Sequence, residues 1–218
     1  MAKYSTIIFD LDGTLVDTSE GIFNSIRFAQ QQLHLPEITP QQMRSHIGPP
    51  MQESYNRNFH LTGDALQRAI DLHVQYALTK GLYEVAIYEG IPHVLQTLHQ
   101  QGFRLAVATL KLEETAQKML QYLNIAQYFD CICGALKEKH ISKKQLLEKC
   151  MNICHSTQRT TLLVGDSKYD AQGAAEAGMD FLGVLYGFDF ATPTDVADFS
   201  HIGIAPHVED ILPIINAH

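Results

Sequence analysis

Two aspartates, Asp10 and Asp12, stand where the apolar run TIIF ends, and that run has the composition of a buried strand. Asp166 and Asp170 follow a second such run, and Thr109 ends a third. Carboxylates brought close together repel one another unless a cation lies among them, and hard oxygen ligands suit Mg²⁺. These residues therefore predict a site for Mg²⁺ and for an anionic ligand such as a phosphate.

The same residue types could also carry out a reaction at phosphorus. A carboxylate can attack phosphorus to form an aspartyl-phosphate, and a second carboxylate can serve as acid and then as base. Gly13 permits a sharp turn that directs backbone N–H groups towards a phosphate. Thr109 and a lysine would hold the phosphoryl oxygens and offset the charge of the transition state.

Five short apolar runs predict the strands that must position these side chains, near residues 6–10, 104–109, 129–135, 161–166 and 181–187. Helical patterns separate the last four runs, one after the N-cap residue Ser142 and one ending at Gly178. This alternation predicts an α/β fold with a doubly wound parallel sheet, a Rossmann-like core. Ligands of such sheets bind beyond the carboxyl ends of the strands, where the aspartates stand.

The first and second predicted strands are separated by about ninety residues, far more than one crossover helix needs. This stretch contains at least three helical patterns, one of them opening with Thr39 as N-cap and Pro40 at the first helical position. We therefore expect a helical cap at residues 16–85, inserted after the first strand. Residues 1–15 and 86–218 would then form the core domain.

The net charge of −8 over 218 residues disfavours a nucleic-acid partner, which requires clustered lysine and arginine. The first residues do not form a signal peptide, and no apolar run approaches the roughly 18 residues of a membrane span. We therefore expect a cytoplasmic protein with neither nucleic acid nor membrane as partner, either a monomer or a homodimer.

The four cysteines have two spacings, C-x-C at Cys131 and Cys133 and C-x-x-x-C at Cys150 and Cys154. Such spacings are compatible with a zinc site. Because the first pair lies in a predicted buried strand and the second in a predicted helix, we expect reduced structural thiols instead.

Three segments, DLDGTLVDT, VATLK and VGDSKYDAQGA, resemble motifs of the haloacid dehalogenase-like hydrolases. With an insert directly after the first motif, the chain resembles the subfamily that has a helical C1 cap. Within that subfamily it is similar to phosphoglycolate phosphatase-like and 5′-nucleotidase-like members. The resemblance implies a Mg²⁺-dependent phosphatase that hydrolyses small phosphate monoesters of metabolites through an aspartyl-phosphate.

The resemblance also implies a role for each matching residue. Asp10 would be the nucleophile, and Asp12 would protonate the leaving oxygen and later activate water. Thr109, with the N–H of Leu110, would bind the phosphoryl group.

The metal ligands are implied in the same way. Asp166 would complete the Mg²⁺ shell with the carboxylate of Asp10 and the backbone carbonyl of Asp12. Asp170 would hold a metal-bound water or orient its neighbours.

The phosphate-binding lysine is not marked by the Lys-Pro pair that family members often show. Four candidates remain: Lys137, Lys139, Lys143 and Lys144. Shorter relatives place this lysine three residues before the apolar stripe of the next helix. That spacing selects Lys143, with Lys144 second.

The cap contains a helix-breaking GPP segment at residues 48–50. By family resemblance, Gly48 and Pro49 would face the active site and contact the substrate, and Arg44, Gln52 and Tyr55 flank them. The alternative is a plain connection between helices.

Other functions remain to be weighed against a phosphatase. A sugar-phosphate phosphomutase resembling β-phosphoglucomutase would use the same acids. A receiver-like or other non-catalytic phosphate-binding protein would keep the acidic cluster without turnover. The chain is too long for a receiver domain, and a helical insert has no place in one.

Overall fold

The computed structural model describes residues 3–136 and 141–218 and shows two compact units. The first unit consists of Met1–Asp17 and Ile87–His218, and the second of Thr18–Ala86. Within the described residues, no helix combines the length and the apolar character that crossing a membrane would require.

A six-stranded parallel sheet forms the centre of the first unit, with the strand order β5-β4-β1-β6-β7-β8. Its strands are β1 (Thr6–Phe9), β4 (Arg104–Leu112), β5 (Cys131–Ala135), β6 (Thr161–Gly165), β7 (Asp180–Val184) and β8 (Gly203–Ala205). Two further short strands, β2 (Val16–Asp17) and β3 (Ala86–Ile87), pair with each other. The predicted parallel sheet is confirmed.

In the part of the chain that the structure describes, six α-helices accompany this sheet: α5 (Ile91–Gln100), α6 (Glu113–Tyr122), α7 (Lys143–Ile153), α8 (Lys168–Ala177), α9 (Pro193–Val196) and α10 (Ile211–Asn216). Every residue of β1 and of β6 is buried, because helices cover both faces of the central strands. The predicted caps are confirmed: the side chain of Ser142 accepts a hydrogen bond from the amide of Gln145, and Gly178 ends α8 with φ +70°.

Two features of the sheet differ from the sequence prediction. The strand predicted to end at Thr109 continues to Leu112, because its pairing with β5 shifts in register between Ala108 and Leu112 and then resumes. The last strand, β8, was not predicted, since its three residues are too few to show a periodic pattern.

The second unit is helical and consists of α1 (Ser19–Leu33), α2 (Pro40–Arg44), α3 (Met51–Phe59) and α4 (Gly63–Thr79). Thr39 caps α2 through a reciprocal capping box with Gln42, as the sequence indicates. The unit has its own apolar core, in which Ile26, Ala29 and Tyr55 are fully buried. Its bounds begin and end within two residues of the predicted insert, 16–85.

Candidate active site

The site is built at the carboxyl ends of the central strands of the first unit. Strand β1 lies between β4 and β6, so residues that follow these three strands meet at one edge of the sheet. Asp10 follows β1 directly, and its amide donates to the carbonyl of Val164 in β6, with 2.9 Å between N and O. Asp166 follows β6 directly, which brings a second carboxylate to the same edge.

Lys143 is the first residue of α7, and its side chain is almost completely buried. Its Nζ lies 2.6 Å from Oδ1 of Asp10 and 2.6 Å from Oδ1 of Asp170. It also donates a hydrogen bond to the carbonyl oxygen of Ala108 in β4. The side chain of Lys144 is 43% exposed, and its Nζ lies 3.9 Å from Oε1 of Glu148 one turn along the helix.

The other two lysine candidates, Lys137 and Lys139, lie outside the described residues. Among the described residues, the ammonium group of Lys143 is therefore the one that the fold places against the predicted nucleophile.

Three buried carboxylates form a tight cluster. Asp10, Asp166 and Asp170 each offer an oxygen atom, and these three atoms lie within 4.8 Å of one another. If all three were ionised beside the single charge of Lys143, the cluster would keep a net charge of about −2 in a poorly solvated place. Carboxylate oxygens of this kind are the ligands that Mg²⁺ prefers, so the donor set fits a divalent cation.

The buried charges shift one another's pKa values. Burial raises the pKa of Asp10 well above its usual range, and the charge of Lys143 opposes that shift. Burial, and then the charge of Asp170, raises the pKa of Asp166 to about 7. Burial alone would lower the pKa of Lys143, but the carboxylates of Asp10 and Asp170 raise it by more, so the lysine stays charged. The cluster therefore binds protons in the absence of a metal ion.

Asp166 is held in place from two directions. Its Oδ1 accepts a hydrogen bond from the hydroxyl of Thr14 at 3.2 Å, and its Oδ2 accepts one from the amide of Phe188 at 2.7 Å. Gly13 passes so close that a Cβ there would overlap the Asp166 carboxylate, and its φ of +84° also favours glycine.

The comparisons with known proteins show which family the chain belongs to. A family model described as haloacid dehalogenase-like hydrolase matches residues 7–184, which include all four aspartates of the site and Lys143. The chain belongs to the haloacid dehalogenase-like hydrolases. The resemblance stated from its motifs is confirmed.

Several relatives match over most of the chain. It is 30% identical over 187 residues to a 5′-nucleotidase of Pseudomonas aeruginosa, covering 85% of each chain. It is 30% identical over 184 residues to a phosphoglycolate phosphatase of Aquifex aeolicus, covering 84% of this chain and 85% of the relative. It is 32% identical over 213 residues to the tyrosine-protein kinase PtkA of Mycobacterium tuberculosis, covering 95% of this chain and 72% of the kinase.

Solved structures share the fold. The structure of a predicted phosphatase from Clostridium acetobutylicum superimposes with a TM-score of 0.90 at 28% identity, covering 99% of each chain. The α/β architecture of this hydrolase is thus that of its family.

Asp170 has two structural roles in this hydrolase. Its Oδ2 accepts hydrogen bonds from the amide and the hydroxyl of Ser167, at 3.1 and 2.6 Å, which caps the start of α8. Its Oδ1 pairs with Lys143. Of the two roles that the resemblance implies, orienting a neighbour is the one for which the structure provides contacts.

Thr109 and Leu110 lie in the irregular part of β4. On the β5 side, Ala108 and Leu112 have partners in the strand pairing, but the residues between them do not. On the β1 side, the pairing ends at Val107. The hydroxyl oxygen of Thr109 accepts a hydrogen bond from the amide of Lys111 at 3.1 Å. The irregularity takes Thr109 and Leu110 out of the register of the sheet, and their contact with a phosphoryl group stays a prediction.

Gly13 lies in a sharp turn, as the sequence predicts. Its amide donates to the carbonyl of Val16 at 2.9 Å within that turn, and its contact with a phosphate stays a prediction. What the glycine contributes here is space for the Asp166 carboxylate, because any side chain would collide with it.

Lys111 is a site residue that sequence reasoning missed. Its Nζ lies 3.1 Å from Oδ1 of Asp12, and both side chains are 17% exposed. The carboxylate of Asp12 therefore pairs with Lys111 and is not part of the cluster that Asp10, Asp166 and Asp170 form. The available signal was the position of Lys111 two residues after Thr109, in the quoted segment VATLK.

The predicted cap contacts fall in the second unit. Gly48, with φ +95°, and Pro49 lie in the connection between α2 and α3, and their contact with substrate stays a prediction. Arg44 and Gln52 are exposed. The ring of Tyr55 is fully buried in the apolar core of the second unit, and its hydroxyl lies 3.1 Å from Nδ1 of His73.

We predict that Lys143→Met lowers the free energy of unfolding by about 3–5 kcal/mol near pH 8, because it leaves buried carboxylates without their counter-charge. The loss should be smaller near pH 5, since burial and then the charge of Asp170 raise the pKa of Asp166 to about 7, and a protonated Asp166 leaves less negative charge for Lys143 to offset. Urea denaturation at both pH values measures this. Lys144→Met is the matched control and should change stability by less than about 1 kcal/mol. Equal losses for the two variants would contradict the assignment.

Proposed function

We propose that this protein is a Mg²⁺-dependent phosphatase that hydrolyses small phosphate monoesters through an aspartyl-phosphate on Asp10. The observation that carries the proposal is the position of the Lys143 ammonium, 2.6 Å from Asp10 and Asp170 at the carboxyl ends of the central strands. It supplies positive charge where a phosphoryl group would approach Asp10. The relatives support chemistry at phosphorus, while their different names leave the substrate open.

In the first step, a carboxylate oxygen of Asp10 forms a bond to phosphorus, and the bond from phosphorus to the leaving oxygen breaks. Asp12 gives that oxygen a proton, so the alcohol leaves neutral. Lys143 and Thr109 offset the negative charge on the phosphoryl oxygens. Lys111, 3.1 Å from Asp12, holds the acid in position.

In the second step, a water oxygen attacks the phosphorus of the aspartyl-phosphate. Asp12, now ionised, takes a proton from that water. The bond between phosphorus and Asp10 breaks, which releases inorganic phosphate and restores the carboxylate. One residue thus serves both steps, in opposite protonation states.

The carboxylates of Asp10 and Asp166 and the backbone carbonyl of Asp12 would hold Mg²⁺, and Asp170 would orient Lys143 beside it. When bound, the ion supplies positive charge that keeps the buried carboxylates ionised and neutralises the phosphoryl oxygens. Asp166 is already fixed for this by Thr14 and the amide of Phe188.

The proposal is tested by turnover of p-nitrophenyl phosphate and of a panel of phosphorylated metabolites with Mg²⁺. We expect hydrolysis by the wild-type protein and less than a few per cent of that rate for Asp10→Asn, which keeps the shape but removes the nucleophile. The control variant Asp198→Asn changes an exposed residue and should hydrolyse these substrates at the wild-type rate. Transfer of phosphate to a second sugar position without release would favour a phosphomutase, and stoichiometric labelling without turnover a receiver-like protein.

We predict that Mg²⁺ stabilises the protein more near pH 8 than near pH 5. Because the folded-state pKa of Asp166 is raised to about 7, the folded protein holds a proton that the unfolded chain does not, and stability without metal falls as pH rises through that value. A metal ion replaces this proton. Thermal unfolding midpoints with Mg²⁺ and with EDTA measure the difference.

The control for this measurement is Asp166→Asn, which should lose the part of the pH dependence that Asp166 contributes and most of the stabilisation by Mg²⁺, while buried Asp10 keeps its own raised pKa. Asp198→Asn should retain both, because its side chain is exposed. A Mg²⁺ effect that is equal at the two pH values would contradict the assignment of the cluster as the metal site.

We predict that Asp12→Ala accumulates a phospho-enzyme with p-nitrophenyl phosphate. This leaving group departs with little help from an acid, so the first step survives, whereas hydrolysis of the aspartyl-phosphate still needs a base. Acid quenching and mass analysis should find one phosphoryl group on the peptide that contains Asp10. Normal turnover by the variant would show that another group is the acid and base.

A further inference from the structure

All four cysteines of the chain meet between one strand and one helix of the first unit. Cys131 and Cys133 are two residues apart on β5, so their side chains share one face of the strand. Cys150 and Cys154 are four residues apart, in α7 and at its C-cap, so they share one face of the helix. The helix packs on this strand, and all four cysteines belong to one core cluster.

The thiols are close enough to share one ion. The Sγ atoms of Cys131, Cys133 and Cys150 lie within 4.8 Å of one another, and the first two are 4.0 Å apart. The thiol of Cys154 interacts with that of Cys131. Tetrahedral Zn²⁺ with Zn–S bonds of about 2.3 Å places its sulfurs about 3.8 Å apart, so shifts of about 1 Å or less would bring the sulfurs of Cys131, Cys133 and Cys150 to that spacing.

Disulfides within the two pairs fit the backbone less well. Residues two apart on a strand are separated by about 6–7 Å, and Cβ atoms four apart on a helix by about 5–6 Å. A disulfide needs its Cβ atoms about 3.5–4.5 Å apart. All four cysteines are free in the structure.

Metal binding requires thiolates. Hydrogen bonds from Cys131 and Cys150 and the charge of Lys149 lower the pKa of the Cys133 thiol against the effect of burial, whereas hydrogen bonding with Cys133 and burial raise the pKa values of Cys131 and Cys150. Lys149 itself pairs with Glu113 at 2.7 Å. Cys131 is half-buried, while the other three cysteines are 0–1% exposed. A metal ion would therefore reach the cluster from the side of Cys131.

We propose that the four cysteines form a site for one thiophilic divalent metal ion, such as Zn²⁺, which would tie β5 to α7. Each cysteine that binds gives up its thiol proton to solvent, and no redox partner is required. Sulfur ligands select Zn²⁺ over Mg²⁺, so this site would differ in metal preference from the carboxylate cluster. Because α7 begins with Lys143, the ion would also fix the position of the helix that carries this lysine.

Titration of the reduced, metal-free, full-length protein with Co²⁺ tests the proposal. We expect one equivalent to bind with the sulfur-to-cobalt charge-transfer band and the intense visible bands of tetrahedral thiolate coordination. Zn²⁺ should bleach these bands, protect the thiols from a thiol reagent and raise the thermal midpoint. Asp166→Asn should keep the thiolate bands, since that variant alters only the oxygen ligands.

Two cysteine variants complete the test, with folding checked by circular dichroism. Cys131→Ser is the milder change, because this side chain is half-buried, and Cys133→Ala removes a buried ligand. We expect both variants to lose the tightly bound equivalent of Co²⁺. If Cys133→Ala does not fold, the result for Cys131→Ser decides whether the cysteines bind the metal. Absence of thiolate bands in the wild type, full thiol reactivity with Zn²⁺ present, or bands that persist in a folded Cys131→Ser would overturn the proposal. So would a disulfide on air oxidation together with no metal binding by the reduced protein.

Discussion

The ion pairs of Lys143 are the constraint on which the active site depends. Its ammonium lies 2.6 Å from both Asp10 and Asp170, in a place from which water is largely excluded. Removing three carboxylates from water is costly, and a single buried cation offsets only part of that cost. The remaining negative charge makes the site ready for a divalent cation, while the ammonium group provides positive charge beside Asp10, where a phosphoryl group would approach. The same buried charges therefore account for the ion pairs that hold the site together and for the chemistry that the site can perform.

The surrounding fold makes this arrangement rigid. The hydroxyl of Thr14 and the amide of Phe188 hold Asp166, while Ser167 and Lys143 hold Asp170. Side-chain and backbone groups that follow four different strands thus fix carboxylates that would otherwise move apart. A site assembled in this way needs little rearrangement when charge develops in the transition state, which is the main source of electrostatic catalysis.

The helix α7 connects the two clusters of the first unit. Its first residue reaches the carboxylates, and its cysteine pair faces β5 near its other end. One helix position therefore determines both the location of the ammonium group and the spacing of the thiols. A metal ion on the cysteines would act on the active site only through the position of this helix, not by contact with substrate.

The sequence by itself determined the class of fold, the family and the edge of the sheet at which the acids lie, because apolar runs, caps and the aspartate spacings are local signals. Only the tertiary structure decided which groups touch. It placed Lys143 rather than Lys144 on Asp10, paired Lys111 with Asp12, and put the amide of Gly13 in a turn. It also buried Tyr55 and gathered cysteines that the sequence suggested were separate structural thiols. Such contacts join residues up to 133 positions apart, so they depend on how helices pack on the sheet, which no local pattern encodes.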